Sequence, residues 1–226
     1  MPPPDKRFSN SFFVQGANTY SRLEGNYPGL FSTETLQEDP NLTSLYDLPE
    51  LMANRYGFMG LDRPHNLKID GFYQFDFKEA GALILGASVR GESGIPHNAL
   101  AAHWAYGAGE SFLLSRGSSG RSPFTSTLDV KATYGKKIGK TNSIEAFVDI
   151  FNLLNAQEQI DADEIYTGDP ANPIVGGTLA DAEHSKTIDP VSGLETATTV
   201  TPNKNFNNLN ARQTPRSVQL GFRVTF

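Results

Sequence analysis

The stretch SVQLGFRVTF, residues 217–226, decides the fold. Val218, Leu220, Phe222, Val224 and Phe226 fall on one side of an extended chain. Ser217, Gln219, Gly221, Arg223 and Thr225 fall on the other. Successive side chains of a strand point to opposite faces, so a period of two marks a strand with one apolar face. Val218 to Phe226 is nine residues, and a tilted membrane strand needs about 9–11. The chain stops on Phe226 at full hydrophobicity, as though the terminus were itself a working part.

Working outward, the same period recurs in five more stretches, giving six expected strands at about 11–24, 63–77, 82–95, 123–136, 142–154 and 212–226. Leu67, Ile69, Tyr73 and Phe75 oppose Lys68, Asp70, Gln74 and Asp76. Leu83, Leu85, Ala87 and Val89 oppose Ser88 and Arg90. Leu128, Val130, Ala132 and Tyr134 oppose Asp129, Lys131 and Thr133, and Ala146, Val148 and Ile150 oppose Glu145 and Asp149. Asn18 breaks the apolar side of the first strand, and Phe72 and Phe147 break the polar sides of theirs. KEAG (78–81) and KIGKT (137–141) read as tight turns, whereas 25–62, 96–122 and 155–211 are long loops. Compact soluble domains connect their elements with about 4–6 residues. Short turns alternating with long loops, and aromatics near strand ends (Phe12, Phe75, Phe77, Tyr134, Phe151, Phe226), suit an outer-membrane β-barrel. Periodicity alone fits a soluble sandwich with one wet face equally well. Within 25–62, Pro49 suits the first position of a short helix, Asp47 its cap and Gly57 its end.

Composition bounds the rest. The 226 residues are 38% hydrophobic and include 15 Phe, too aromatic for a disordered chain. The longest apolar run, GALILGA (81–87), falls far short of the ~20 residues of a spanning helix. With no cysteine, disulfides and thiolate metal sites are excluded. The opening MPPPDKRFSN has no apolar core of a signal peptide, so the protein is expected to be either cytoplasmic or a piece of something longer. The net charge of −6 is uneven: residues 155–195 hold nine acids and one base, Lys186.

No catalytic spacing stands out, and no enzyme activity or cofactor is expected. YGAGES (106–111) lacks the lysine of a phosphate loop. RGESG (90–94) and RGSSG (116–120) are not nucleophile elbows. His97 and His103, six apart, lack metal-ligand spacing, and all four histidines read as ordinary loop or surface residues. In IDADEIYTGDP (160–170), Asp161, Asp163, Glu164 and Asp169 are oxygen ligands that could gather calcium. They lack the order of a calcium loop, so a solvated acidic loop is the competing reading. No basic patch invites nucleic acid.

Several motifs resemble those of TonB-dependent outer-membrane receptors. FNLLN (151–155) resembles the FNLFN box of their penultimate strand. RQTPRSVQLGFRVTF (212–226) resembles their closing strand, with the R-x-x-x-x-G-x-R-x-x-F pattern on Arg216, Gly221, Arg223 and Phe226. DRPHNLKIDGFYQF (62–75) resembles a segment that enters a strand of the same barrels. YSRLEGNYPGLF (20–31) and NPIVGG (172–177) are similar to the Oar-like branch, whose members carry a carboxypeptidase-regulatory-like domain.

The resemblance covers essentially the whole chain. It implies an all-β, antiparallel up-and-down meander of about six long strands, the last part of a transmembrane barrel of about 22 strands closed by a plug. Residues 1–226 would be the C-terminal part, with plug and earlier strands absent, so that it transports nothing alone. KRFSN resembles a periplasmic turn joining a preceding strand. The implied location is the Gram-negative outer membrane, with the turns periplasmic and the long loops extracellular. The implied partners are outer-membrane lipid, an unidentified ligand, TonB through the missing N-terminal part, and the barrel assembly machinery. That machinery would read Val218, Leu220, Phe222, Val224 and Phe226 as its signal. The alternative is a soluble β-sandwich binding a carbohydrate or a protein partner.

Overall fold

A computed structural model describes residues 11–38, 46–139 and 141–226. Its centre is one six-stranded antiparallel sheet: β1 (Phe12–Tyr20), β2 (His65–Asp76), β3 (Ala82–Glu92), β4 (Thr125–Ile138), β5 (Asn142–Phe151) and β6 (Ser217–Thr225). The strands pair strictly in chain order, so β1 and β6 are its two open edges. The alternation read in the sequence is what the register aligns. One row runs Phe12, Tyr73, Leu85, Ala132, Val148, Leu220 across all six strands, and the next runs Val14, Gly71, Ala87, Val130, Ile150, Val218. A slip of one residue at any pair would turn a whole strand inside out, so twelve positions agreeing on one face fix the register.

The strands are shorter than the sequence suggests on the loop side. β5 stops at Phe151, not 154, because Asn152 and Asn155 take left-handed backbone (φ 50° and 54°) and turn the chain. β6 begins at Ser217. Arg212 belongs instead to a short strand, Leu209–Arg212, paired with Gln159–Ala162. On the turn side, β2 and β3 join through Lys78–Ala80. Asp76 accepts from the Lys78 N–H at 2.8 Å, and Phe77 N–H donates to the Gly81 carbonyl at 2.8 Å. Gly81 has φ 111°, and a Cβ there would strike the Gly135 carbonyl, so only glycine closes this turn.

Among the described residues, neither face of the sheet is covered by a second layer. No apolar side chain of the six strands is buried, and Leu220 and Phe222 are 78% and 69% exposed. The buried core lies in the loops. Ala99, Ala101, Leu113, Leu114, Tyr166, Ala171, Ala182 and Val200 form it, with Ile174 and Phe206 packed against them. This does not favour the sandwich alternative, which needs two sheets sharing an apolar core.

Candidate functional site

The three long loops converge at one end of the sheet and fold into a head. Leu100–His103 pairs with Gly107–Phe112 of the same loop and, in parallel, with Ile165–Pro170 of the last loop. The first loop adds a short helix, α1 (Pro49–Met52), opened by proline as expected. Its N-cap is Leu48, without a side-chain bond, rather than Asp47. Asp47 instead accepts a 2.5 Å bond from the Tyr106 hydroxyl, which holds the Tyr106 pKa above its usual value. The helix ends well before Gly57, since Asn54 turns left-handed (φ 59°) and donates to the carbonyls of Phe112, Leu113 and Ile174.

A pile of charges and one ring locks the first loop to the second. The guanidinium groups of Arg55 and Arg116 lie over the Phe112 ring at 4.6 and 4.7 Å. Arg55 donates to the Leu51 and Glu110 carbonyls and pairs with the Glu110 carboxylate at 3.3 Å. Arg116 donates to the Arg55 carbonyl and pairs with Glu34; the side chains of that pair are 0% and 1% exposed. Burial pushes both arginine pKa values down, and the paired acids oppose the shift. Removing one partner of such a buried pair costs about 3–5 kcal/mol. Sequence reasoning missed the pile, because charged residues in loops normally read as solvated and nothing in the spacing marks Arg55, Phe112 and Arg116 as neighbours.

The rim between sheet and head is tied by the sequence motifs themselves. In FNLLN, Asn152 is 4% exposed. Its amide donates to the carbonyls of Ala156 and Thr214, each at 2.8 Å, and its oxygen accepts from Ala156 N–H. Its own N–H donates to Asp129 on β4. Asn155 accepts from the Arg216 N–H at 3.0 Å. Both asparagines therefore hold the entry of β6 against β5. In DRPH, buried Asp62 accepts from Leu23 N–H at 2.6 Å and pairs with Arg121. Arg121 also donates to the Asp62 and Gly94 carbonyls and lies over Phe58. Arg63 reaches the Ser93 carbonyl and Glu92. These residues are clasps at the loop roots.

The calcium candidates do not form a cage. Asp163 accepts from Ile165 N–H and the Asn203 amide, Glu164 from the Asn98 N–H and amide, and Asp169 from Thr201 N–H. Asp161 lines a small hollow of about 220 Å³ beside Asp163 and Glu164. Among the described residues no group of three or more acids or histidines is placed to hold a metal. Glu164 ties the last loop to the second, and Asp163 and Asp169 spend oxygens on the fold of the last loop. Asp181 does the same through a capping box with Thr178 at α2 (Leu179–Ala182), and the carboxyl is held low by those bonds.

Two histidines read as ordinary loop or surface residues do lie in a loop, but in its interior. His97 is 5% exposed, bonded to Ser122 at 2.9 Å and 3.6 Å from Glu164. His103 is 4% exposed and faces Glu50 at 3.6 Å. The proposed signal residues Val218, Leu220, Phe222 and Val224 stand exposed along edge strand β6, paired on one side only, to β5. Phe226 follows that strand and is 98% exposed.

On the sheet's other face, Asp70 pairs with Arg90, Lys131 with Asp149 and Glu145 with Arg223. Phe147 fits there only because Gly221 opposite it has no side chain; a Cβ would run into the ring. Phe13 stacks on Phe72 at 5.7 Å. Aromatic residues that broke the polar alternation are thus packed in pairs or over glycine, on a face otherwise laced with ion pairs.

No family model matches the chain, and no solved structure matches it. It is 38% identical over 98% of its length to the TonB-dependent transporter Oar of Myxococcus xanthus. The match falls on a C-terminal portion, and the chain spans 22% of that relative's length.

Proposed function

Because the chain is 38% identical over 98% of its length to a C-terminal portion of the TonB-dependent transporter Oar, we propose that it belongs with the Oar-like TonB-dependent receptors and is the final six-stranded arc of an outer-membrane barrel that takes up a ligand. One observation carries this reading: the sheet has a continuous apolar face that no described residue outside it covers, while the buried core of the described residues sits in the loops. Soluble monomers seldom expose apolar patches beyond about 300–600 Å². Lipid is the solvent that accepts such a face, with the ion-paired face turned to the barrel interior. No helix among the described residues is long and apolar enough to cross a membrane; the crossing elements are the strands.

In this reading the head lies outside the cell, where it forms part of the ligand vestibule, and the β2–β3 and β4–β5 connections, the tight turns read at 78–81 and 137–141, lie in the periplasm. Natural barrels have at least about 8 strands, so six strands with two open edges require partners to close. Transport, the plug and contact with TonB belong to the whole receptor. The barrel assembly machinery would read the exposed apolar row of β6 and Phe226. Epitope tags in intact cells test the orientation. A tag at 190–192 should bind antibody on intact cells, and one at 139–141 only after permeabilisation. The reverse pattern would overturn the assignment.

A further inference from the structure

The head holds one buried group that its packing keeps in a single protonation state. The His103 Nδ1 accepts N–H bonds from Ala105 at 3.1 Å and Tyr106 at 3.3 Å. An atom that accepts two donors carries no proton, so the proton sits on Nε2, which faces Glu50 at 3.6 Å without a hydrogen bond. These two bonds form the tip of the hairpin between Leu100–His103 and Gly107–Phe112.

All three loops meet at that tip. Next to His103, the Trp104 indole N–H donates to Glu50 of the first loop at 3.3 Å. Its ring lies against Gly193 of the last loop, where a Cβ would sit 3.3 Å from two ring carbons. Tyr106 binds Asp47 of the first loop. The His103 ring contacts both aromatic rings, at 5.6 and 5.5 Å.

We propose that His103 is an acid-operated latch: neutral, it holds the tips of the three loops together around Trp104, and protonated, it releases them. An imidazolium has N–H groups on both nitrogens. Its Nδ1 proton would point at two backbone N–H donors, so both bonds break and the ring must turn. The charges facing it are Glu50 and Arg55 from the first loop and Glu110 from its own hairpin partner. Burial and Arg55 disfavour the charged form; Glu50 and Glu110 favour it, and burial prevails, lowering the His103 pKa. The sign follows. The closed tip binds the proton less well than the open one, so closure is complete above about pH 6.5, the ordinary value. It weakens as pH falls from there through the lowered value. The latch lies in the head and does not rest on where the sheet resides.

The single tryptophan of the chain is Trp104, so its fluorescence reports the junction directly. A nearby imidazolium quenches indole by itself; the readouts are therefore the emission maximum and acrylamide access, not intensity. On acidification from pH 8, the full chain should show a red shift and a rise in the quenching constant, with a midpoint below about 6.5. His103→Asn offers an oxygen to the same N–H groups but cannot titrate, and should abolish the transition, whereas His97→Asn should leave it in place. Glu50→Gln should move it to lower pH. A flat wild-type titration, or an unchanged transition in His103→Asn, overturns the latch. Should His103→Asn not fold, amide exchange of the wild type decides. Corrected for intrinsic rate, exchange at Ala105 and Tyr106 should rise at acid pH relative to the β3–β4 ladder, and equal behaviour refutes the proposal.

Discussion

Replacing Asn152 by alanine isolates what the FNLLN motif does. The side chain makes three hydrogen bonds at 2.8–3.0 Å in a position 4% exposed. Each contributes about 1 kcal/mol net, giving about 3 kcal/mol in all, since the Ala156 and Thr214 carbonyls are left without their donor. Asn152 also has φ 50°, and alanine in left-handed backbone is worse by roughly 1 kcal/mol. The total of about 4 kcal/mol corresponds to nearly a thousandfold increase in local opening, at about 1.4 kcal/mol per tenfold. Amide hydrogen exchange reads it at Asn152, Leu153 and Arg216, whose N–H groups bond to Asp129, the Leu128 carbonyl and Asn155. Asn152→Gly keeps the backbone comfortable and loses only the bonds. It should open these amides about fivefold less than Asn152→Ala, the difference being the roughly 1 kcal/mol of backbone strain. If neither variant changes exchange there, the clasp is not what holds β6 to β5.

Glu34→Ala leaves the Arg116 guanidinium buried without its acid, so it should destabilise the head by about 3–5 kcal/mol and open 96–122 to protease while the sheet ladders keep their exchange protection. Calcium should not raise the melting temperature of the wild-type head, because Asp163, Glu164 and Asp169 are already bonded to amide groups; a calcium-dependent rise abolished by Asp161→Asn would contradict this. Phe226→Asp should lower the amount of receptor assembled in the outer membrane without changing its synthesis, as immunoblots of membrane fractions would show, and normal surface levels would argue against its role as a signal.

The strands were legible because a half-buried or lipid-facing sheet writes its period into the residues, as in Val218, Leu220, Phe222 and Val224. Their loop-side ends were not, because they are set by turns such as Asn152 rather than by a fading of the pattern. The head was illegible for a different reason. Its core, from Ala99 to Val200, is assembled from loops far apart in sequence, and Ala99–Ala102 are buried consecutively with no period at all. Acids there look solvated but serve as acceptors: Asp47, a candidate helix cap, takes the Tyr106 hydroxyl, and Asp163, a candidate calcium ligand in an otherwise solvated-looking loop, takes amide groups. The motifs were visible as strings. Their work as clasps shows only in the fold, since Asn152 and Thr214 are 62 residues apart.

A scan of single cysteines along β4 and β6 tests the membrane assignment most directly. The chain has no cysteine of its own, so each label reports one site. In the protein reconstituted in bilayers, spin labels at 128, 130, 132 and 134 and at 218, 220, 222 and 224 should relax with oxygen dissolved in lipid. Labels at 129, 131 and 133 and at 219 and 223 should relax with a water-soluble nickel chelate instead. A lipid-facing sheet requires that alternation with period two on both strands; uniform contact with the aqueous reagent, or no alternation, would contradict it.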